Sequence, residues 1–100
     1  MKKLVRETLN ELMAEIPTKI SGSKNTDEEI LRIGIIAELD AINLYEQMAS
    51  QTNNKKLKKL LLDIAKEEKT HVGELQAFLL SIDKEQSAEL KTGEKEYKKI

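Results

Sequence analysis

The chain has no cysteine and no tryptophan, and it has one proline and one histidine. Without cysteine there are no disulfides, zinc–thiolate sites or iron–sulfur clusters, and cysteine catalysis is excluded. Aromatic residues make up 3% of the chain, which is little for a large single-chain core. A domain of 100 residues buries only about 60–65% of its unfolded surface, so its stability margin is thin. Association with a second copy would enlarge this small core.

Neither sign of charge dominates, since 17 basic and 18 acidic residues leave a net charge of −1. This balance argues against a nucleic acid or an anionic membrane held by bulk charge. The lysine-rich run at residues 55–59 has no interleaved aromatic residue and is interpreted as a solvated helix start. No apolar run approaches the roughly 20 residues of a membrane span, and Arg6 and Glu7 interrupt any signal-like segment. We therefore predict a cytoplasmic protein with no nucleic-acid or membrane partner.

Helical periodicity runs through most of the sequence. Apolar residues recur at steps of three and four in residues 4–16, 27–50 and 55–82, and no strand alternation is present. Pro17 ends the first of these segments. We predict an N-terminal helix and linker over residues 1–26.

Two long helices, at about 27–50 and 55–82, are predicted to pair across a short polar turn at residues 50–54. Asp83 and Gln86 resemble a helix cap, so a short third helix is expected to end near residue 91. The hairpin domain is predicted to span residues 27–91, with a flexible tail at 92–100. The predicted class is all-α: a long antiparallel helical hairpin with short flanking helices.

Two glutamates lie where the helical stripe calls for apolar residues: Glu38 on the first long helix and Glu68 on the second. The turn is centred between Thr52 and Asn53, so facing residues of the hairpin have numbers that add up to about 105 or 106. Glu38 and Glu68 therefore face each other, about 21 Å from the turn at 1.5 Å per residue. His71, the one histidine, lies one helical turn beyond Glu68 on the same face.

Burying an ionised carboxylate costs roughly several kcal/mol of free energy unless a positive charge accompanies it. Arg32 is two turns from Glu38, and Lys66 and Lys69 point elsewhere by helical angle. A divalent cation would neutralise the pair, and carboxylate with imidazole suits iron, manganese or zinc. The simpler interpretations are a polar histidine at the edge of a core and a solvated glutamate, and the facing register argues against both.

One Glu opposite a Glu-x-x-His segment is half of the di-iron carboxylate pattern of four-helix bundles. This chain carries one such half. A two-fold dimer of hairpins would supply the other half and form a four-helix bundle around two metal ions. We therefore predict that the site is shared between two copies of the chain.

The stretches LRIGIIAELDAINLYEQMA (residues 31–49) and LLDIAKEEKTHVGELQAFLL (residues 61–80) resemble the encapsulated ferritins. These are short ferritin-like hairpins that form di-iron sites between subunits and work inside encapsulin shells. The resemblance covers residues 27–90 and is strongest to archaeal-type members, in which this domain is often fused ahead of the shell protein. It implies a homo-oligomer, typically a decameric ring of five dimers, located in an encapsulin nanocompartment.

The resemblance also assigns residues, and iron as the cofactor. The bridging glutamate of the family falls on Glu38, and its other metal ligands fall on Glu68 and His71, so these three are the expected metal-binding and catalytic residues. The tyrosine beside the metal centre falls on Tyr45, which the helical pattern alone favours as a core ring. Positions that carry iron-guiding acids in some members hold Ala37 and Asp40 here, and a tryptophan of some members is Leu44.

The implied activity is that of a ferroxidase, which oxidises Fe(II) to Fe(III) with dioxygen for mineral storage. Two alternatives use the same residues. One is a rubrerythrin-like di-iron protein that reduces peroxide. The other is a non-catalytic assembly module in which the metal only staples two chains together.

Overall fold

A computed structural model describes residues 26–100 as a helical hairpin followed by a third helix. Helix α1 spans Thr26–Gln51, α2 spans Lys55–Ile82 and α3 spans Lys84–Tyr97. No strand occurs between residues 26 and 100. The predicted all-α class and the predicted hairpin are confirmed, and the two long helices agree with prediction to within one residue at each end. The predicted N-terminal helix and linker fall on residues outside this described part.

The hairpin turn is a short polar connection whose side chains begin α2. Asn54 is the N-cap, and its side-chain Oδ1 accepts a hydrogen bond of 3.0 Å from the backbone N–H of Leu57. The backbone N–H of Asn54 donates to Thr52 Oγ1 at 3.1 Å. Because asparagine is among the preferred N-cap residues, the sequence fixes where α2 begins. That start sets the register in which the two long helices face each other.

Asp83 separates α2 from α3 and contacts both α1 and α3. Its backbone is extended, with φ −110° and ψ 91°, and its Oδ1 accepts a 2.9 Å hydrogen bond from the backbone N–H of Gln86. This confirms the predicted cap. The other carboxylate oxygen, Oδ2, lies 2.6 Å from Nη2 of Arg32 on α1. The hydrogen bond from Gln86 and then the ion pair with Arg32 hold the pKa of Asp83 below its ordinary value.

The third helix is longer than predicted. The sequence pattern predicts a helix end near residue 91 and a flexible tail from residue 92, but α3 continues to Tyr97, so that boundary is wrong. The lysines and glutamates of this segment are good helix formers. Lys98 Nζ also lies 2.9 Å from Glu94 Oε1, and its backbone N–H caps the helix end. These local interactions outweigh the cost of Gly93, about 1 kcal/mol.

One cluster of buried apolar side chains lies in the half of the hairpin near the turn. Ala41 and Tyr45 on α1 pack with Ile64 and Ala65 on α2, and Leu61 covers them. The helices also approach closely further from the turn, since a Cβ added to Gly34 would lie 3.3 Å from Leu75 Cδ1. Close contact of the helices at Gly34 is what places polar side chains of the two helices within reach of each other. None of the helices within residues 26–100 is apolar over enough length to cross a membrane.

Candidate metal centre

The site lies at mid-height of the hairpin, where the two long helices each contribute a glutamate. Glu38 comes from α1, and Glu68 and His71 come from successive turns of α2. One ligand atom from each of these three residues lies within 4.8 Å of the other two. The predicted facing register is thus observed, and the hairpin brings together all three residues that the sequence analysis selected.

The imidazole is the centre of this cluster. His71 Nδ1 lies 3.5 Å from Glu38 Oε2 and 3.4 Å from Glu68 Oε2. Charge-assisted hydrogen bonds of this kind measure about 2.7–2.9 Å, so both separations are too long for one. Both carboxylate oxygens are buried and have no hydrogen-bond partner. The three side chains are therefore close together, but they do not satisfy the hydrogen-bonding capacity of these two oxygens.

Burial makes this arrangement costly for a metal-free chain. Glu68 is 2% exposed and Glu38 is 9% exposed, so each carboxylate has lost most of its contact with water. Two basic side chains of the hairpin helices are paired elsewhere. Arg32 pairs with Asp83, and Lys69 Nζ lies 3.3 Å from Glu46 Oε2. An uncompensated buried charge destabilises a protein strongly, so this level of the hairpin favours a bound cation.

A divalent metal ion fits the donor atoms that are present. With metal–ligand bonds of about 2.1 Å, two ligands of one ion lie about 3.0 Å apart at a right angle and about 3.4 Å apart at a tetrahedral angle. The two measured separations from His71 Nδ1, 3.4 and 3.5 Å, agree with such a geometry. Two carboxylates with one imidazole suit iron, manganese or zinc more than calcium or magnesium. An ion here would also supply the partner that the two orphaned oxygens lack.

One side of the site is open. The side chain of His71 is 46% exposed, although its imidazole faces two buried carboxylates. Large apolar side chains lie on the same side of α2, within about 40° of His71 at 3.6 residues per turn. They are Leu57, Leu60 and Phe78, which are 42%, 40% and 60% exposed. Exposed apolar side chains on the side of an open polar site are expected where a second protein surface packs.

Tyr45 is separated from the three clustered residues. It is 2% exposed and packs in the apolar cluster near the turn. It lies seven residues after Glu38, or about 10 Å along the helix. The structure therefore places this ring in the core, as the helical pattern favours, on the same helix face as Glu38.

Two interhelical ion pairs escaped the sequence analysis: Arg32 with Asp83 and Lys69 with Glu46. Their residues are offset by more than two turns from the facing register, so long side chains that run diagonally make the contacts. A search for opposite charges at this diagonal offset would have found them. Both pairs hold α1 against the second half of α2 or its end, and they engage Arg32 and Lys69 away from the carboxylates of Glu38 and Glu68.

Comparisons with known proteins identify related sequences. A family model described as rubrerythrin matches residues 29–100. The ferritin-like–encapsulin shell fusion protein of Pyrococcus furiosus is 60% identical over 88 residues, which cover 84% of this chain and 26% of that protein. The encapsulin nanocompartment cargo protein EncC of Myxococcus xanthus is 36% identical over 80 residues, which cover 77% of this chain and 62% of that protein. The chain thus spans less than two thirds of the length of either relative.

A solved structure extends the similarity to three dimensions. The crystal structure of the encapsulated ferritin domain from Pyrococcus furiosus superimposes with a TM-score of 0.76 at 52% sequence identity. The match covers 87% of this chain and 89% of that domain. The chain therefore belongs to the rubrerythrin family and is a ferritin-like domain of the encapsulated type.

Proposed function

We propose that this chain is a ferroxidase that oxidises Fe(II) with dioxygen at a di-iron site shared between two copies. The observation that carries the proposal is the pair of buried carboxylate oxygens, on Glu38 and Glu68, that lack a hydrogen-bond partner and face His71 Nδ1. Family membership supports the choice of iron. The exposed side of His71 supports the second copy, because residues 26–100 of one chain supply three ligands at this site.

Each residue has a distinct part in the proposal. Glu38 of each copy would be a ligand common to the two iron ions. It lies on the opposite helix from Glu68 and His71, and one ligand atom of each of the three residues lies within 4.8 Å of the others. Glu68 and His71 complete the ligands of one ion per copy. In one turnover two Fe(II) each lose one electron to a dioxygen, which takes up two protons and leaves as hydrogen peroxide. Carboxylate oxygens favour the harder Fe(III) product and so favour this oxidation.

The proposed setting is the interior of an encapsulin shell. One similar protein is a fusion to an encapsulin shell and another is an encapsulin cargo protein. We propose that this chain likewise works beside an encapsulin shell protein, where the Fe(III) product mineralises. The oligomer in this proposal is a decameric ring of five dimers, without a nucleic-acid or membrane partner.

The proposal is tested by oxygen consumption and Fe(III) absorbance after anaerobic loading with Fe(II). Glu38→Ala is expected to reduce the oxidation rate at least about 100-fold, because a bridging ligand to both ions is removed. Glu46→Ala is the matched control, since it removes another α1 carboxylate that pairs with Lys69 outside the site. Unchanged turnover in Glu38→Ala would contradict the bridging role. Metal-dependent association without any turnover would select the staple instead.

A second candidate activity is peroxide reduction, favoured by the rubrerythrin family model that matches residues 29–100. In that reaction two Fe(II) each give one electron to hydrogen peroxide, which takes up two protons and leaves as two water molecules. The same ligands serve both reactions. Faster iron oxidation by hydrogen peroxide than by dioxygen, at equal concentrations, would select it. Tyr45→Phe in the same assay tests whether the tyrosine hydroxyl takes part in either reaction.

A further inference from the structure

An apolar groove between α1, α2 and α3 takes no part in the metal centre. Its volume is about 300 Å³, and five aliphatic side chains line it: Ile35, Ile36, Leu79, Leu80 and Leu90. It is here called the α1–α3 groove. Gln76 and Leu80, both in its lining, lie about 140° and 180° around α2 from His71 at 3.6 residues per turn. The groove therefore opens away from the side on which a second copy would complete the metal site.

The third helix lacks the contacts that usually stabilise a short helix. No residue of α3 is buried, and within residues 26–100 no Cα of α3 lies within 8 Å of a Cα of α1. Leu90 on α3 is 43% exposed and Ile36 on α1 is 46% exposed. Isolated helices shorter than about 12–15 residues are marginal in water. An apolar segment between α1 and α3 would cover both side chains and stabilise α3.

The sequence ahead of α1 has the pattern of such a segment. Residues 1–25 lie outside the described part of the chain. At 3.6 residues per turn, five apolar residues fall within an arc of about 100° and are here called the N-terminal stripe: Val5, Leu9, Leu12, Met13 and Ile16. Glu7, Glu11 and Glu15 fall on the opposite face. The pattern predicts a helix with one apolar face that requires a partner.

The connector between this segment and α1 is long enough to reach the groove. Residues 17–25 can extend over about 30 Å, and Ile35 lies about 14 Å along α1 from Thr26. The start of α1 lies at the end of the hairpin where α2 ends and α3 begins, as the contact of Arg32 with Asp83 shows. A short flexible connector gives an attached segment an effective concentration of about millimolar. This attachment favours the chain's own segment over one from a second copy.

We propose that residues 4–16 pack as a helix in the α1–α3 groove of their own chain, with the N-terminal stripe facing Ile36 and Leu90. The added helix connects α1 with α3 and covers the exposed apolar side chains of the groove. Burial of an apolar face is the main source of stability for a helix of this length. The inference goes beyond the proposed function and does not depend on the metal chemistry.

Hydrogen exchange of the α3 backbone amides tests the packing. The double variant Leu9→Asp with Leu12→Asp is expected to make the amides of α3 exchange at least about tenfold faster, because α3 then opens without the added contact. The control is Lys3→Asp with Asn10→Asp, on the face opposite the N-terminal stripe, and it should leave this exchange unchanged. Unchanged exchange in the middle of α2 shows that the hairpin stays folded. Equal exchange of α3 in the unmodified chain and the double variant would overturn the proposal.

A variant on the groove side gives an independent test. Ile36→Asp is expected to speed the exchange of α3 in the same way, and because Ile36 is 46% exposed, the hairpin should keep its fold. Leu62→Asp is the matched control, since Leu62 is also 46% exposed and lies toward the turn, outside the groove. An equal effect of Leu62→Asp and Ile36→Asp would contradict a specific contact in the groove.

Two spin labels distinguish the possible occupants, because the chain has no cysteine of its own. Labels at Asn10→Cys and Glu89→Cys are expected to give a narrow distance distribution centred below about 30 Å, since the axes of packed helices lie about 8–10 Å apart. The short distance should persist when labelled chains are refolded with an excess of unlabelled chains. Its loss on dilution would place the segment in the groove of a second copy and overturn the proposal. A broad distribution without a short distance would overturn it as well.

Discussion

Two regions of the hairpin, one near the turn and one at mid-height, differ in how their buried side chains are stabilised. Near the turn, Ala41, Tyr45, Ile64 and Ala65 form a dry cluster that a single chain completes. At mid-height, Glu38 and Glu68 are almost as buried, yet their inner oxygens have no hydrogen-bond partner. The same antiparallel packing thus produces a finished core in one place and an unfinished site in the other. The difference indicates that the site depends on something outside residues 26–100, both for charge and for cover.

Removal of the aromatic ring from the finished core is expected to have the largest effect. Tyr45→Ala should lower the free energy of unfolding by about 3–5 kcal/mol, because it leaves a cavity where a large ring is buried. The loss should be the same with and without metal, if this region is independent of the site. Chemical denaturation at saturating and zero metal measures both values. Tyr45→Phe keeps the ring and is the control, and a loss for Tyr45→Ala that appears only with metal would contradict the separation of the two regions.

The next largest effect on stability is expected when a buried carboxylate of the site is replaced by an apolar side chain. Glu68→Leu is expected to raise the free energy of unfolding of the metal-free chain by about 1–3 kcal/mol, because a buried charge is replaced by an apolar side chain. Metal at 100 times its Kd stabilises an intact site by about 2.7 kcal/mol, and the variant should lose this gain.

Calorimetry with and without metal measures the two effects of Glu68→Leu, which have opposite signs. Asp63→Asn, which removes an exposed acid of α2 that pairs with Lys59, is the control and should change stability by less than about 0.5 kcal/mol. A less stable metal-free Glu68→Leu chain would contradict the view that the carboxylate is a burden without metal.

Glycine substitutions compare the inside of the hairpin with its outside. Gly73→Ala is expected to raise the free energy of unfolding by up to about 1 kcal/mol, since alanine is the better helix former and nothing lies within 4 Å of the new Cβ. Gly34→Ala should gain less, because the new Cβ would lie 3.3 Å from Leu75 Cδ1. Denaturation curves of the two variants and the unmodified chain measure both changes in the free energy of unfolding. Equal gains at the two positions would mean that the helices are not in close contact at Gly34.

The smallest expected effect is on acid stability at the end of the hairpin. The pKa of Asp83 is lowered by its hydrogen bond from Gln86 and its ion pair with Arg32. A lowered pKa stabilises the folded chain above the ordinary value of 3.8, and that contribution is lost as the pH falls through the folded-state pKa. Asp83→Asn keeps the helix cap and removes the charge, so its stability should depend less steeply on pH below that value. Identical acid unfolding curves would argue against this ion pair in solution.

Most of the hairpin was predictable because local rules and long-range packing agree there. The turn and the caps at Asn54 and Asp83 determine the register, and the register determines that Glu38 faces Glu68. The length of α3 was not predicted, because Gly93 and a polar composition resemble a frayed tail, whereas good helix formers and the ion pair between Glu94 and Lys98 extend the helix. The diagonal pair of Arg32 and Asp83 was also missed, since side-chain length and direction decide it.

The central claim is that two chains share the site, and native mass spectrometry after anaerobic loading with Fe(II) tests it most directly. The account predicts assemblies with an even number of chains that carry one iron per chain, and it predicts that Glu38→Ala loses the iron. A monomer that binds no iron would contradict the shared site, and His71 would then be a polar residue at the edge of an ordinary helical core.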